Sequence, residues 1–157
     1  MLVKKSMKQL FLLILIVNLF IYSCSKKNSN PSPSSFNPSP AQGNADLQIK
    51  DTVYSSYTVS KQGYGASAQP NSGNYSFSIQ FSSAPNNISY PLNSGNPVIT
   101  IFNSGTSDTY YAVSGNAVAT KTQSVTAVPY TNVEFTNAKF VDLIKSDTFT
   151  VSGAISY

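Results

Sequence analysis

Six carboxylates are the first candidates for catalysis or metal binding in this sequence: Asp46, Asp51, Asp108, Glu134, Asp142 and Asp147. Asp142 and Asp147 are near each other, but they flank a predicted turn, whereas glycoside hydrolysis needs two carboxyl groups about 5–10 Å apart across a cleft. No spacing matches the Asp-x-Asp-x-Asp loop of a calcium site. The chain has no His and one Cys, which excludes Ser-His and Cys-His nucleophile systems and Cys-based zinc sites. We therefore expect no catalytic residue, no metal site, no cofactor and no enzyme activity.

Tyrosine is the other residue type that could form a binding site, because the chain has ten of them. Tyr110 and Tyr111 are adjacent, so in a strand they face opposite sides, and we select both as candidate ligand contacts. An exposed Tyr ring can stack on a sugar or contact a protein. Tyr also suits strands intrinsically, so simple core packing remains open beside the two binding roles.

Charge argues against a nucleic-acid partner. From residue 45 onward the chain has five Lys, six acids and no Arg. Nucleic-acid binding needs a basic surface, and Arg supplies the fork that reads guanine and grips phosphate. We therefore exclude nucleic acid.

The amino-terminal segment has the pattern of an export signal. Lys4, Lys5 and Lys8 precede an apolar run of 13 residues, from Leu10 to Tyr22, that only Asn18 interrupts. A membrane-spanning helix needs about 20 apolar residues, whereas the apolar region of a signal peptide needs about 7–15. Ordinary signal cleavage requires an Ala-x-Ala-like site, which this segment lacks.

The residues Ile21, Tyr22, Ser23 and Cys24 resemble the lipobox of bacterial lipoproteins, which has an aliphatic residue three before the Cys and a small residue directly before it. This resemblance implies a diacylglycerol on the Cys24 thiol and cleavage between Ser23 and Cys24. Residues 1–23 are then the lipoprotein signal peptide, and the lipid on Cys24 makes the membrane a partner. One acyl chain binds a bilayer marginally, whereas two or more hold durably.

Residues 24–44 are predicted to be a lipidated Cys followed by a disordered tether rich in Ser, Pro and Asn. Between residues 25 and 44 lie six Ser, four Pro and four Asn, and this composition cannot bury enough apolar surface to offset its ordering entropy. Proline favours an extended chain of about 3.1 Å per residue, so the tether could reach ~60 Å.

Residues 45–157 are predicted to form a β-rich domain, because their apolar residues alternate with polar ones. The candidate strands are 52–60, 74–82, 98–102, 110–113, 117–122, 125–128, 133–141 and 147–157, with 98–102 central because it is continuously apolar. Lys139 to Lys145 has the spacing of one helical turn. Five glycines follow a serine and predict turns or, at Gly115 and Gly153, bulges. The expected fold is all-β, an antiparallel sandwich or barrel of about eight short strands.

A lipobox followed by Ser-Lys-Lys, a polar tether and a small β domain resembles small uncharacterised lipoproteins of the Bacteroidota. Residues 111–118, 133–140 and 151–156 carry the likeness within a region of about residues 75–157. It implies the outer membrane and no particular activity. Lys26 and Lys27 stand where surface-exported lipoproteins often have acids, which favours a periplasm-facing domain. Asp51-Thr52-Val53 resembles an O-glycosylation acceptor of that phylum, with Thr52 as the modified residue.

These observations predict a cell-envelope lipoprotein with a non-catalytic interaction or structural role. Its further partner is an unknown envelope protein or glycan. The alternative is a carbohydrate-binding module that uses exposed Tyr residues.

Replacement of Cys24 tests the anchor directly. We expect the protein from its native host to begin at Cys24 with a diacylglycerol on the sulfur, and Cys24→Ser to remain uncleaved and unacylated because Ser lacks the acceptor thiol. Intact-mass spectrometry of membrane fractions measures both, and Ser25→Ala is the matched control. An unmodified thiol at position 24 of the native protein would contradict this prediction.

Overall fold

The computed structural model describes residues 41–122 and 128–157. The signal peptide, the lipobox with Cys24 and nearly all of the tether therefore lie outside the described residues. The strand predicted over 125–128 also lies outside them, except for Val128, which is exposed and not in a strand.

The described chain is all-β and antiparallel, as the alternation predicted. It contains eleven strands rather than about eight, and one short 3₁₀ turn, Leu92–Ser94. The predicted strand 52–60 is two strands, because Ser56 adopts a positive φ of 69° and breaks it. The strands are Ala45–Ile49 (β1), Thr52–Tyr54 (β2), Tyr57–Gln62 (β3), Gly65–Pro70 (β4), Tyr75–Gln80 (β5), Ser89–Pro91 (β6), Val98–Asn103 (β7), Asp108–Ser114 (β8), Asn116–Thr122 (β9), Tyr130–Asp142 (β10) and Thr148–Ser156 (β11).

The strands form one curled sheet, a half-barrel, in the order β2-β1-β11-β10-β8-β7-β5-β4-β3. Strand β10 has 13 residues and two partners on the same edge. Its first half pairs with β9, its last four residues pair with β8, and β11 pairs with it on the other edge. Strand β6 extends the β9 branch. The sheet therefore forks at β10.

A bulge in β10 accompanies this fork. Phe135 is opposite Gly153 and Ala138 is opposite Val151, so two residues of β10 face Ser152 alone. Asn137 adopts a φ of 50°, and its N–H donates to Ser152 Oγ at 2.9 Å. A bulge bends a strand and increases its twist. The sequence predicted a bulge at Gly153, which is on β11. The extra residue is instead on the partner strand β10, between Phe135 and Ala138.

An aromatic ladder runs through the core of the half-barrel. Each ring contacts the next in edge-to-face, tilted or stacked geometry, and such pairs contribute about 0.5–1.5 kcal/mol beyond area burial. The ring centroids are separated by 5.4, 6.2, 6.0, 6.3 and 4.5 Å along the series Tyr57, Phe77, Phe135, Phe140, Phe149 and Tyr110.

The domain has two ends, which we call proximal and distal. At the proximal end the N–H of Gly43 donates to the Ser156 carbonyl at 2.9 Å, and the Tyr157 hydroxyl donates to the Tyr64 carbonyl at 3.2 Å. Burial raises the pKa of Tyr157 to about 12. Residues 41–44, the carboxyl terminus and the β3–β4 turn therefore meet there.

The distal end holds the turns between β1 and β2, β4 and β5, β7 and β8, and β10 and β11. The Ser104 N–H donates to the Asn74 carbonyl at 2.8 Å, and Lys145 pairs with Asp108. Lys50 lines a groove with Asp147. Strand β11 connects the two ends with nine residues, a length of about 30 Å at ~3.3 Å per residue.

The helical turn expected at Lys139 to Lys145 is wrong for its first half, because β10 continues to Asp142. One turn follows, closed by the Ser146 N–H that donates to the Asp142 carbonyl at 2.8 Å. The prediction that 98–102 is a central strand is confirmed, since β7 lies between β5 and β8, although only one face of this strand is buried. Val98 and Phe102 point outward, 45% and 41% exposed.

Gly153 gives a test of the core. A Cβ at this position would lie 2.6 Å from Phe135 Cζ and 3.1 Å from the Asp46 carbonyl oxygen. We expect Gly153→Ala to lower the free energy of unfolding by about 1–3 kcal/mol through overpacking, measured by urea denaturation with tyrosine fluorescence.

The matched control for this substitution is the cavity-forming variant Phe135→Leu. The double variant should lose less stability than the sum of the two single variants, because the smaller side chain makes room for the new methyl group. Strict additivity would contradict the contact between the Phe135 ring and position 153.

Candidate functional site

The outward face of β3, β4, β5 and β7 carries a shallow groove of about 280 Å³. Alternate residues of each strand point to this outward face. The pairing between strands then determines which of these side chains are adjacent. Ser78 Oγ and Thr100 Oγ1 share a hydrogen bond of 2.7 Å, and Gln62 Nε2 donates to Ser67 Oγ at 3.2 Å. We call this the outer-face groove; its lining residues are Gln62, Ser67, Gln69, Ser76, Phe77, Ser78, Thr100 and Phe102.

The lining of the outer-face groove is uncharged. Two amides and four hydroxyls supply both donors and acceptors, and Phe102 supplies an exposed ring. Such a surface can hydrogen-bond a neutral polar ligand, and it gives no electrostatic preference to an anion or a cation.

The two adjacent tyrosines lie on opposite faces, as a strand requires. Tyr110 is 9% exposed, its ring packs 4.5 Å from Phe149, and its hydroxyl donates to Asp108 Oδ2 at 3.4 Å. Burial and the nearby Asp108 carboxylate raise the pKa of Tyr110. Tyr111 is 38% exposed. Of the two candidate ligand contacts, Tyr111 is the one that a ligand can reach from the outward face.

Tyr111 and Phe102 lie on the same outward face, Phe102 in the lining of the groove and Tyr111 on the neighbouring strand. Tyr111 is opposite Thr100 in the β7–β8 ladder, and Phe102 is two residues along β7 on the same face. Diagonal neighbours across paired strands are within reach of aromatic side chains. A ligand lying on the outward face can therefore contact both rings.

A second cleft, of about 310 Å³, opens at the distal end between the β7–β8 and β10–β11 turns. Tyr111, Leu143 and Ile144 line it with the ion pair between Lys145 Nζ and Asp108 Oδ1, which are 2.5 Å apart. The hydrogen bond from Lys145 lowers the pKa of Asp108, and the same bond raises the pKa of Lys145. Because these two charges satisfy each other, the cleft has no free cation at Lys145.

The β10–β11 turn is held by Asp142. This carboxylate is 3% exposed, and its Oδ1 accepts from the N–H groups of Ile144 at 2.7 Å and Lys145 at 3.0 Å. Backbone hydrogen bonds join Asp142 to Ser146 and Asp147. Asp142 therefore organises the turn that separates it from Asp147. The turn presents Leu143 and Ile144 to solvent, 69% and 93% exposed.

The remaining site predictions have simple locations. Thr52 is exposed at the start of the edge strand β2, where a glycosyl group would meet no obstruction, and its modification stays a prediction. Cys24 and Ser23 lie outside the described residues. Across residues 41–122 and 128–157, no three His, Cys, Asp or Glu side chains cluster as metal ligands would. No helix in this same part of the chain is long and apolar enough to span a membrane.

No family model, curated protein or solved structure matches this chain.

Sequence reasoning missed Phe102, Leu143 and Ile144 as surface residues. Phe102 ends an apolar run that suggested burial on both faces, and Leu143 and Ile144 had helical spacing relative to Phe140. The turn flanked by Asp142 and Asp147 was predicted, and it was the available signal that Leu143 and Ile144 would face solvent, because Asp favours turn starts.

Asp142 gives the test of the turn. We expect Asp142→Ala to lower the free energy of unfolding by about 1–3 kcal/mol, because two backbone N–H groups lose a buried acceptor. Amide hydrogen exchange should also become faster at Ile144 and Lys145.

Two variants control this measurement. Asp142→Asn keeps an accepting Oδ1 and should lose less stability. Asp147→Ala removes an exposed carboxylate but keeps the backbone carbonyl that accepts from Asp142, so it should leave both readouts near those of the unaltered protein. Equal effects of Asp142→Ala and Asp147→Ala would refute the role given to Asp142.

Proposed function

We propose that this chain is a lipid-anchored, non-catalytic binding module of the bacterial cell envelope, held at the outer membrane by Cys24 and facing the periplasm. Its ligand lies on the outward face of β5, β7 and β8. The lipobox-like residues 21–24 support the anchor, and Lys26 and Lys27 support the orientation. The observation that carries the binding role is the uncharged outer-face groove with two exposed rings, Phe102 and Tyr111, beside it.

The groove is suited to binding because its scaffold is fixed. Phe102 and Tyr111 project from central strands of the sheet, and each of these two positions is paired with a neighbouring strand on both sides. A ligand would therefore order few groups on binding, which reduces the entropic cost of association. Tyrosine in particular contributes large contact area for the loss of few rotatable bonds.

The position of the tether agrees with this role. Residues 41–44 join the domain at its proximal end through hydrogen bonds with the end of β11. Phe102 lies at the opposite, distal end of β7, away from this attachment. The anchored domain keeps the outward face free for an envelope partner.

The first candidate ligand is another envelope protein. Two neighbouring aromatic side chains with an uncharged polar surround have the composition of a small interaction surface, in which a few rings supply most of the binding energy. The module would then position its partner at the membrane rather than alter it chemically.

The second candidate ligand is a glycan, and the composition of the groove favours it. Sugar hydroxyls donate and accept at once, which matches the amides of Gln62 and Gln69 and the hydroxyls of Ser67, Ser76, Ser78 and Thr100. The C–H face of a sugar ring can lie on an aromatic ring such as Tyr111.

A capture experiment in envelope extracts tests both candidates. We expect the lipidated protein to retain an envelope ligand, and Phe102→Ala or Tyr111→Ala to weaken retention at least about tenfold, since one anchoring ring commonly contributes more than ~1.4 kcal/mol. Tyr64→Ala is the matched control, because Tyr64 is 51% exposed but lies in the β3–β4 turn at the proximal end.

The nature of the ligand decides between the two candidates. The ligand is a glycan if free oligosaccharides inhibit retention and if the protein binds a glycan array in a way that the same variants weaken. Retention that protease treatment of the extract abolishes identifies the protein. Equal losses in Tyr64→Ala and Tyr111→Ala would contradict the assignment of the outward face.

A further inference from the structure

The β10–β11 turn carries the two most exposed aliphatic side chains at the distal end. Leu143 is 69% exposed and Ile144 is 93% exposed. They are adjacent in the turn of the β10–β11 hairpin, at the mouth of the distal cleft that they help to line. Neither side chain belongs to the outer-face groove.

The backbone that presents these side chains is fixed rather than loose. Asp142 Oδ1 holds the N–H groups of Ile144 and Lys145, and Lys145 Nζ is tied to Asp108 on the neighbouring turn. A mobile tip would bury its own aliphatic groups at little cost, whereas this turn holds them outward. Insertion into an apolar phase therefore needs little ordering of the chain.

We propose that Leu143 and Ile144 insert into the bilayer that carries the lipid of Cys24, so that the distal turn is a second membrane contact. This inference rests on the anchor in the proposed function, and it assigns to the domain an orientation that the anchor alone does not give.

Contact area favours a bilayer over a protein as the occupant. A stable protein–protein interface buries about 1,200–2,000 Å² in total, which two side chains on a narrow hairpin cannot supply. A bilayer needs no complementary shape, because acyl chains close around any protruding apolar group.

Charge identifies the kind of lipid surface. Lys145 is paired with Asp108, and the turn also contains Asp142 and Asp147. Lys50 and Asp51, in the β1–β2 turn at the same end, offset each other. The distal end thus has no basic patch with which to attract anionic headgroups, so the contact is apolar and suits zwitterionic lipid.

The dimensions of the chain permit this contact. A 20-residue extended tether reaches about 60 Å at ~3.1 Å per residue, and the domain is about 30 Å from end to end by the length of β11. The distal turn can therefore return to the membrane that holds Cys24. Tethering also raises the effective concentration at the surface to the order of millimolar, so a contact too weak to recruit a free domain suffices for an anchored one.

The single Cys of the sequence makes a sharp experiment possible. The lipidated protein carrying Leu143→Cys has one free thiol, because the sulfur of Cys24 is in a thioether. This thiol is labelled with an environment-sensitive fluorophore, and the protein is reconstituted into phosphatidylcholine vesicles that contain lipids with nitroxide on the acyl chains. Val98→Cys is the matched control, since Val98 is 45% exposed on β7, at the end of that strand remote from the β7–β8 turn.

We expect the label at position 143 to shift to shorter emission wavelength and to be quenched by the nitroxide lipids, and the label at position 98 to show neither effect. Adding Ile144→Asp to the labelled chain should reduce the quenched fraction at least tenfold. The quenching should persist at about 1 M NaCl, where charges are screened within ~3 Å.

The outcomes separate the two proposals. If each chain carries one label and binds vesicles, but the labels at positions 143 and 98 give equal signals, the insertion is overturned and the anchor is not. Quenching that disappears at high salt would overturn the apolar contact. Two labels per chain without vesicle binding would show a free Cys24 thiol, which overturns the anchor and the second contact with it.

Discussion

The fork at β10 is the constraint on which the remaining structure depends. Strand β10 pairs with β9 and then with β8 on the same edge, and with β11 on the other. The two unpaired residues opposite Ser152 bend it between these two segments. Phe135 precedes the bend and Phe140 follows it, so both rings turn toward the centre of the aromatic ladder. Because a bulge bends a strand and increases its twist, this bend contributes to the curl of the sheet around the aromatic ladder.

Much of the fold could be predicted because alternation is a strong signal where one face is wet. Strand β5 follows this rule, with Phe77 and Ile79 inward and Ser78 outward. Strand β11 departs from it, because Ser152, Ala154 and Ser156 are also buried. These side chains are small, and the residues paired with them on β1 and β10 have longer side chains, such as Gln48 opposite Ser152 and Glu134 opposite Ala154. Strand β4 escaped prediction for a related reason, since Ala66 and Ala68 are buried through the closeness of neighbouring strands and their type gives no strand signal.

The binding surface was less predictable because exposure depends on which strands are neighbours. The sequence places Tyr110 and Tyr111 on opposite faces, but it does not say which face is covered. Pairing with Thr100 on one side and Val141 on the other decides it. Tyr57 is a tyrosine that the structure buries. Its ring packs on Phe77, and its hydroxyl has no hydrogen-bond partner among the described residues. Burial raises the pKa of this hydroxyl, and the ring, rather than the polar group, accounts for the residue's place in the core.

The attachment of residues 41–44 to the proximal end has a mechanical consequence. Strand β1 follows these residues directly and lies between β2 and β11, antiparallel to both. A pull between a membrane and a ligand held on the sheet would act along the axis of β1. It would load the hydrogen bonds to both neighbours at once, in shear, instead of opening them one after another from an end. A short strand of five residues can then bear tension as a unit.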